Sequence, residues 1–181
     1  SSNLFSFRQR AVELVRNRRQ SDAADVKNSI GDPVAKKLVE WLILRSDDAG
    51  VDFSRYAAFI ASSPGWPSMS TLRRKAEALL FQEKPAPATV TAFFASNKPL
   101  SAKGKFALAR ALLAQGDSKG AQTIVRDTWR NYGFSAEVES RVHDQFSDML
   151  TREDHKARMD RRLYEKDDTE AGMRAANRLG G

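Results

Sequence analysis

The sequence predicts an all-α protein, built as a right-handed α-superhelix, or solenoid, of helix pairs. Three observations predict it. Apolar residues recur at helical spacing along most of the chain. Helix starts fall at a constant interval, because Pro33, Pro67, Ser101, Ser135 and Thr169 are each 34 positions apart. No stretch alternates apolar and polar residues at period two between hairpin turns, so a sheet has no support. A period near 34 made of helix–turn–helix units has the length of a tetratricopeptide-type repeat. The expected organisation is a single α-superhelical domain over 1–181, with pairs starting near 6, 33, 67, 101 and 135 and a last helix near 169.

Asp32-Pro33 supplies a cap and a proline at the first helical position, and Ala35, Leu38, Val39, Leu42 and Ile43 then follow one face. After the Asp47-Asp48-Ala49-Gly50 break, Phe53, Tyr56, Ala57 and Ile60 repeat the pattern, and Pro64-Gly65-Trp66-Pro67 ends that helix. Pro67 leads Leu72, Ala76, Leu79 and Leu80. Val90, Phe93 and Phe94 mark the second helix of that unit. Ser101 caps a helix carrying Phe106, Leu108, Leu112 and Leu113, whose further alanines make it small or apolar nearly all round and place it between neighbours on both sides.

Gly116-Asp117 ends that helix and caps one carrying Ala121, Ile124, Val125, Thr128 and Trp129. Ser135 leads Val138, Val142, Phe146 and Met149, and Thr151-Arg152-Glu153-Asp154 offers a cap with acidic residues in the first turn. Each unit leaves an apolar face for the next to cover, so stacking is the stabilising event. The unit opened near Thr169 stops at Gly181, and the expectation is a longer solenoid in which a further helix covers the last one.

Thirty Lys and Arg against 23 Asp and Glu give a net charge of +7, and 41% hydrophobic residues exclude a disordered or collagenous chain. The longest apolar run, Leu38 to Leu44, is broken by Glu40 and far shorter than the roughly 20 residues of a membrane span. No cysteine is present, which excludes disulfides, thiolate metal sites and a cysteine nucleophile. Ser1-Ser2-Asn3 opens without a basic segment and a long apolar one, which leaves the compartment open.

The chemistry-bearing residues read as structure. His143 and His155 lack zinc-ligand spacing; His155 is expected as a hydrogen-bonded histidine at a helix–helix contact, and His143 as a boundary residue. Glycine-rich phosphate loops and a serine-hydrolase elbow are absent from the sequence. Asp47-Asp48 and Asp167-Asp168 suit loops and caps. The basic groups Arg8, Arg10, Arg16, Arg18, Arg19 and Lys156, Arg158, Arg161, Arg162 are expected on solvated helix faces with i, i+4 partners. Trp41, Trp66 and Trp129 are expected in packing rather than on a ligand platform. The expected catalytic, cofactor-binding and metal-binding residues are therefore none, and no cofactor is called for.

The run Asp32 to Trp41, Phe53-Ser54-Arg55-Tyr56 and Pro64-Gly65-Trp66-Pro67 resembles the N-terminal superhelical region of soluble lytic murein transglycosylases. Leu108 to Asp117, then Ala121, Val125 and Trp129, and Leu150 to His155 with Asp160 and Leu163, resemble the same region in order and spacing. The likeness runs from about Ala11 onward and is nearest to alphaproteobacterial members. It implies a periplasmic enzyme that cleaves peptidoglycan between N-acetylmuramic acid and N-acetylglucosamine, leaving a 1,6-anhydro end. In that family one glutamate is acid and then base, in a Glu-Ser dipeptide followed by Gly-Leu-Met-Gln within a C-terminal lysozyme-like domain.

Here Glu139-Ser140 has no such stretch after it and reads as a helix-surface pair. The resemblance therefore implies a non-catalytic scaffold, with the catalytic domain outside this chain. The implied partners are the remainder of its own polypeptide and, through the parent enzyme, peptidoglycan; a membrane span and nucleic acid are not expected. Two rivals are a tetratricopeptide-like adaptor that holds a peptide in a groove and a basic nucleic-acid-binding solenoid.

Overall fold

The computed structural model describes Gln9 and residues 31–47 and 50–180. The helix pair expected near residue 6, the arginines Arg8, Arg10, Arg16, Arg18 and Arg19, and Asp48 lie outside these residues. Among the described residues there are nine α-helices and no strand, so the fold is all-α. None of these helices is long and apolar enough to cross a membrane. The chain divides into two compact units, residues up to Ala76 and residues from Glu77 onward.

The first unit contains α1 (Pro33–Arg45), α2 (Phe53–Ser62) and the start of α3 (Met69–Glu83). Asp32 caps α1 by accepting from the Val34 amide at 2.9 Å, and Asp52 caps α2 by accepting from the Arg55 amide at 3.0 Å. Val39, Ile43, Leu44, Tyr56, Phe59, Ile60 and Leu72 form the core. Trp41 donates from its indole nitrogen to the Pro67 carbonyl at 2.8 Å, and its ring lies 6.1 Å from that of Trp66. The third helix begins at Met69 rather than at Pro67, because Ser68 takes a left-handed turn with φ 59° before helical dihedrals begin.

The second unit contains the rest of α3, then α4 (Pro87–Ser96), α5 (Ala102–Ala114), α6 (Ser118–Asn131) and α7 (Ala136–Phe146). A 3₁₀ turn, Ser147–Met149, leads to α8 (Arg152–Asp160), a π-helical turn, Arg161–Glu165, and α9 (Thr169–Leu179). Short-range caps start most of these helices. Ser101, Asp117, Ser135 and Asp168 each accept from a backbone amide of the helix they open, and Thr151 and Asp154 form a reciprocal capping box on α8. Gly116, at φ 88°, supplies the left-handed residue that turns α5 towards α6.

Helix α5 packs against α4 and α6, with Gly104, Phe106, Ala107, Ala109 and Ala111 buried and Leu108, Leu112 and Leu113 half-buried. Helix α8 packs against both α6 and α9, and Trp129 on α6 is completely buried.

One contact recurs along the chain. Lys75 on α3 donates to the Arg45 and Ser46 carbonyls at the end of α1, at 3.0 and 2.8 Å. Arg110 on α5 donates to the Leu80 and Phe81 carbonyls near the end of α3, at 2.7 and 3.2 Å. Both contacts bridge 30 residues when measured to Arg45 and to Leu80. Each places a cation on the unsatisfied carbonyl end of a helix, where the helix dipole favours it.

Candidate functional site

Two regions of the second unit bring polar side chains together: an open groove along α3, α5 and α7, and a closed cluster of arginines and carboxylates among α6, α7, α8 and α9.

The groove has a volume of about 710 Å³ and is lined by Phe81 and Gln82 at the end of α3, Arg110 of α5, and Arg141, Asp144 and Gln145 of α7, with Lys84 beside them. A smaller recess of about 270 Å³ shares Phe81, Gln82 and Arg141 and adds Lys103, Ser135 and Glu137. Arg141 donates to Glu137 at 2.8 Å on an exposed face, so its guanidinium is free to exchange partners. Arg110 is fixed on the α3 carbonyls, with its guanidinium carbon 5.9 Å from the Phe81 ring centre, and burial lowers its basicity. The result is a cleft with cations, amides, the carboxylates of Asp144 and Glu137 and one aromatic ring, able to hold an extended chain that carries hydroxyls or carboxylates.

The cluster is built on Glu139. Its side chain has no exposure and accepts from Arg158 of α8 at 3.1 Å and from Arg174 and Arg178 of α9. Burial alone would push the Glu139 carboxyl up; the hydrogen bonds from Arg174 and Arg178, with the charge of Arg158, outweigh it and hold the group below its ordinary range. Asp154 is equally buried and accepts from Arg126 and Arg130 of α6 and from Thr151. Burial would raise it too, but the Thr151 backbone amide, Arg130 and Arg126 hold it low.

These positions correct two expectations. Glu139 is not a helix-surface residue, because it shares a buried stripe of α7 with Val142 and Phe146 and three arginines neutralise it there. The α8 basic group is only half a solvated face. Lys156–Asp160 and Arg161–Glu165 are i, i+4 pairs, whereas Arg158 is fully buried and Arg162 is 5% exposed. Arg158 enters the interior because its guanidinium meets three acceptors, Glu139 and the Trp129 and Tyr132 carbonyls, and lies 4.0 Å from the Phe134 ring centre.

His155 does lie at a helix contact, edge-on to Trp129 with ring centres 5.6 Å apart and 5.8 Å from His143. Its Nδ1, however, is buried without a hydrogen-bond partner, so the expected bond at that atom is missing, because the ring packs against aromatic faces rather than acceptors. Trp129 and Trp41 are buried in packing. Among the described residues, Asp47 pairs with Lys75, Asp168 caps α9, and no group of histidines and carboxylates is arranged to hold a metal.

Sequence reasoning missed Glu77, and it placed Asp154 only in a helix cap and Arg162 only on a solvated face, without the burial of either. Glu77 is fully buried on α3 and accepts from the Leu100 and Ser101 amides and the Ser101 hydroxyl, closing the start of α5. The signal was spacing: Asp154, Arg158 and Arg162 share one helix face at i, i+4 steps, and Glu77 sits three before Leu80.

No protein-family model matches the chain, and neither a curated protein nor a solved structure matches it.

Proposed function

We propose that this chain is a non-catalytic scaffold, a superhelix of tetratricopeptide-like helix pairs of the kind that precedes the catalytic domain in soluble lytic transglycosylases. The observation that carries the reading is the recurring cation on a helix end. Lys75 on α1 and Arg110 on α3 make the same contact at the same sequence separation, as successive copies of one unit would. Helix starts at residues 33, 69, 102, 136 and 169 keep close to the interval of the sequence period.

The state of Glu139 supports the non-catalytic half of the proposal. A general acid must reach the glycosidic oxygen and carry a proton near neutral pH, and Glu139 is sealed from solvent and held ionised by arginines. In this reading the protein is periplasmic, and the groove along α3, α5 and α7 faces glycan strands or their acidic stem peptides. Reading the parent gene beyond Gly181 tests the assignment: a Glu-Ser followed by Gly-Leu-Met-Gln is expected, and its absence overturns it. Sedimentation of the purified chain with sacculi tests the groove. Recovery is expected to fall at high salt and in an Arg141→Glu variant, without release of anhydromuropeptides.

A second reading, a peptide-holding adaptor, is favoured by the groove's position along three alternate helices. Binding of carboxylate-rich peptides with equal affinity in the absence of any sacculus binding would select it.

A further inference from the structure

The corner where α6, α8 and the π-helical turn meet is short of acceptors. Five buried side-chain nitrogens there have no hydrogen-bond partner: Trp129 Nε1, His155 Nδ1, Arg158 Nε, Arg161 Nε and Arg162 Nε. In native proteins such atoms are few and scattered, and each calls for an explanation.

The charges at this corner are unbalanced as well. The two buried carboxylates are already taken, Glu139 by Arg158, Arg174 and Arg178, and Asp154 by Arg126 and Arg130. Arg162 remains. It is 5% exposed, and its side chain makes no hydrogen bond or ion pair among the described residues. Its neighbour in charge is Arg158, which repels it. Burying an isolated guanidinium is costly, and water satisfies its N–H groups without cancelling its charge.

The surroundings hold Arg162 in place. Its carbonyl accepts from the Asp168 amide, and the backbone there winds as a π-helical turn, a local irregularity that occurs often at functional positions. Its Nη1 lies over Gly133, an exposed residue, where a Cβ would come within 2.7 Å of it. A side chain at 133 would therefore occupy the space beside the guanidinium.

We propose that Arg162, beside Gly133 and backed by Arg158, binds an oxyanion, a carboxylate or a phosphate, that supplies the missing charge and acceptors. A guanidinium presents parallel N–H groups that match the two oxygens of either anion. The proposal does not rest on the scaffold reading.

The test uses the whole chain titrated with inorganic phosphate in one arm and acetate in another, against chloride at equal ionic strength. Melting temperature and heat of binding are both read. A saturable rise of roughly 4 °C or more over chloride is expected in at least one arm. Phosphate alone identifies a phosphate-bearing ligand, acetate alone a carboxylate, and either outcome supports the site. Arg162→Met is expected to abolish the rise and, without anion, to melt no lower than the parent, because it removes an unpaired buried charge. Gly133→Ala is expected to weaken binding at least tenfold. No heat and no rise beyond chloride in the parent chain, or an equal rise in Arg162→Met, overturns the proposal; the calorimetric arm needs no variant to fold.

Discussion

Glu139 and Arg158 meet at 3.1 Å with neither side chain exposed, so each is the condition for burying the other. The pair ties α7 to α8, and Arg174 and Arg178 extend it to α9. Removing the carboxylate strands a buried guanidinium. Glu139→Ala is expected to cost about 3–5 kcal/mol in urea unfolding, with Glu139→Gln losing less because the shape is kept. Arg141→Ala, which breaks the exposed pair to Glu137, is expected to cost under about 0.5 kcal/mol. Equal losses at the two sites would show that the buried cluster is not what holds these helices together.

A second expectation concerns the entry to α5. Gly104 is buried, and a Cβ there would lie 2.1 Å from Glu77 Oε1. The glutamate cannot swing aside at little cost, because Leu100 and Ser101 donate three hydrogen bonds to that oxygen, at 2.7 to 3.0 Å. Gly104→Ala should therefore destabilise by roughly 1–3 kcal/mol despite alanine's better helix propensity. A melting temperature equal to or above the parent's would refute this account of the close approach.

What the sequence announced and what it concealed divide by range. Asp32, Ser101, Asp117, Ser135 and Thr151 act within three residues of themselves, so residue type and position reveal them as caps. Glu139 finds partners 19, 35 and 39 residues away, and nothing local distinguishes it from a solvated glutamate. Arg158 was misplaced for the same reason, since a charged residue on a helix is exposed unless a distant partner takes it in, and Arg162, buried without one, has nothing in its residue type to announce it. Pro67 shows a smaller failure: the proline marks the turn, but the left-handed Ser68 delays the helix.

Acid should unlock the second unit through its carboxylates. Glu139 and Asp154 are both held below their ordinary values of 4.5 and 3.8, against burial, by hydrogen bonds and arginine charge. A group whose folded value is depressed gives stability that is complete above its unfolded value and is lost as pH falls through the folded one. Unfolding free energy is expected to hold steady above about pH 5 from these two groups and to fall steeply below pH 4. In Glu139→Gln the slope below pH 4 should be shallower, and an unchanged slope would assign the acid sensitivity to other carboxylates.

His155 should act in a separate, higher window. Burial lowers its value first, and the positive charge of Arg178 and the neighbouring His143 add to this, against Asp154 and Glu139, which raise it; the net direction is down from 6.5. The folded ring therefore stays neutral while the unfolded ring takes up a proton, and stability declines as pH falls from 6.5 toward the lower folded value. Protonation in the folded state puts a charge edge-on to Trp129, 5.6 Å away. Tryptophan emission of the folded chain is thus expected to change at a pH below 6.5 but not at it, and His155→Gln should remove both this change and the stability slope that begins below pH 6.5. A fluorescence transition centred at or above 6.5 in the parent chain would mean that the ring is better solvated, or better paired, than its packing against Trp129 and His143 implies.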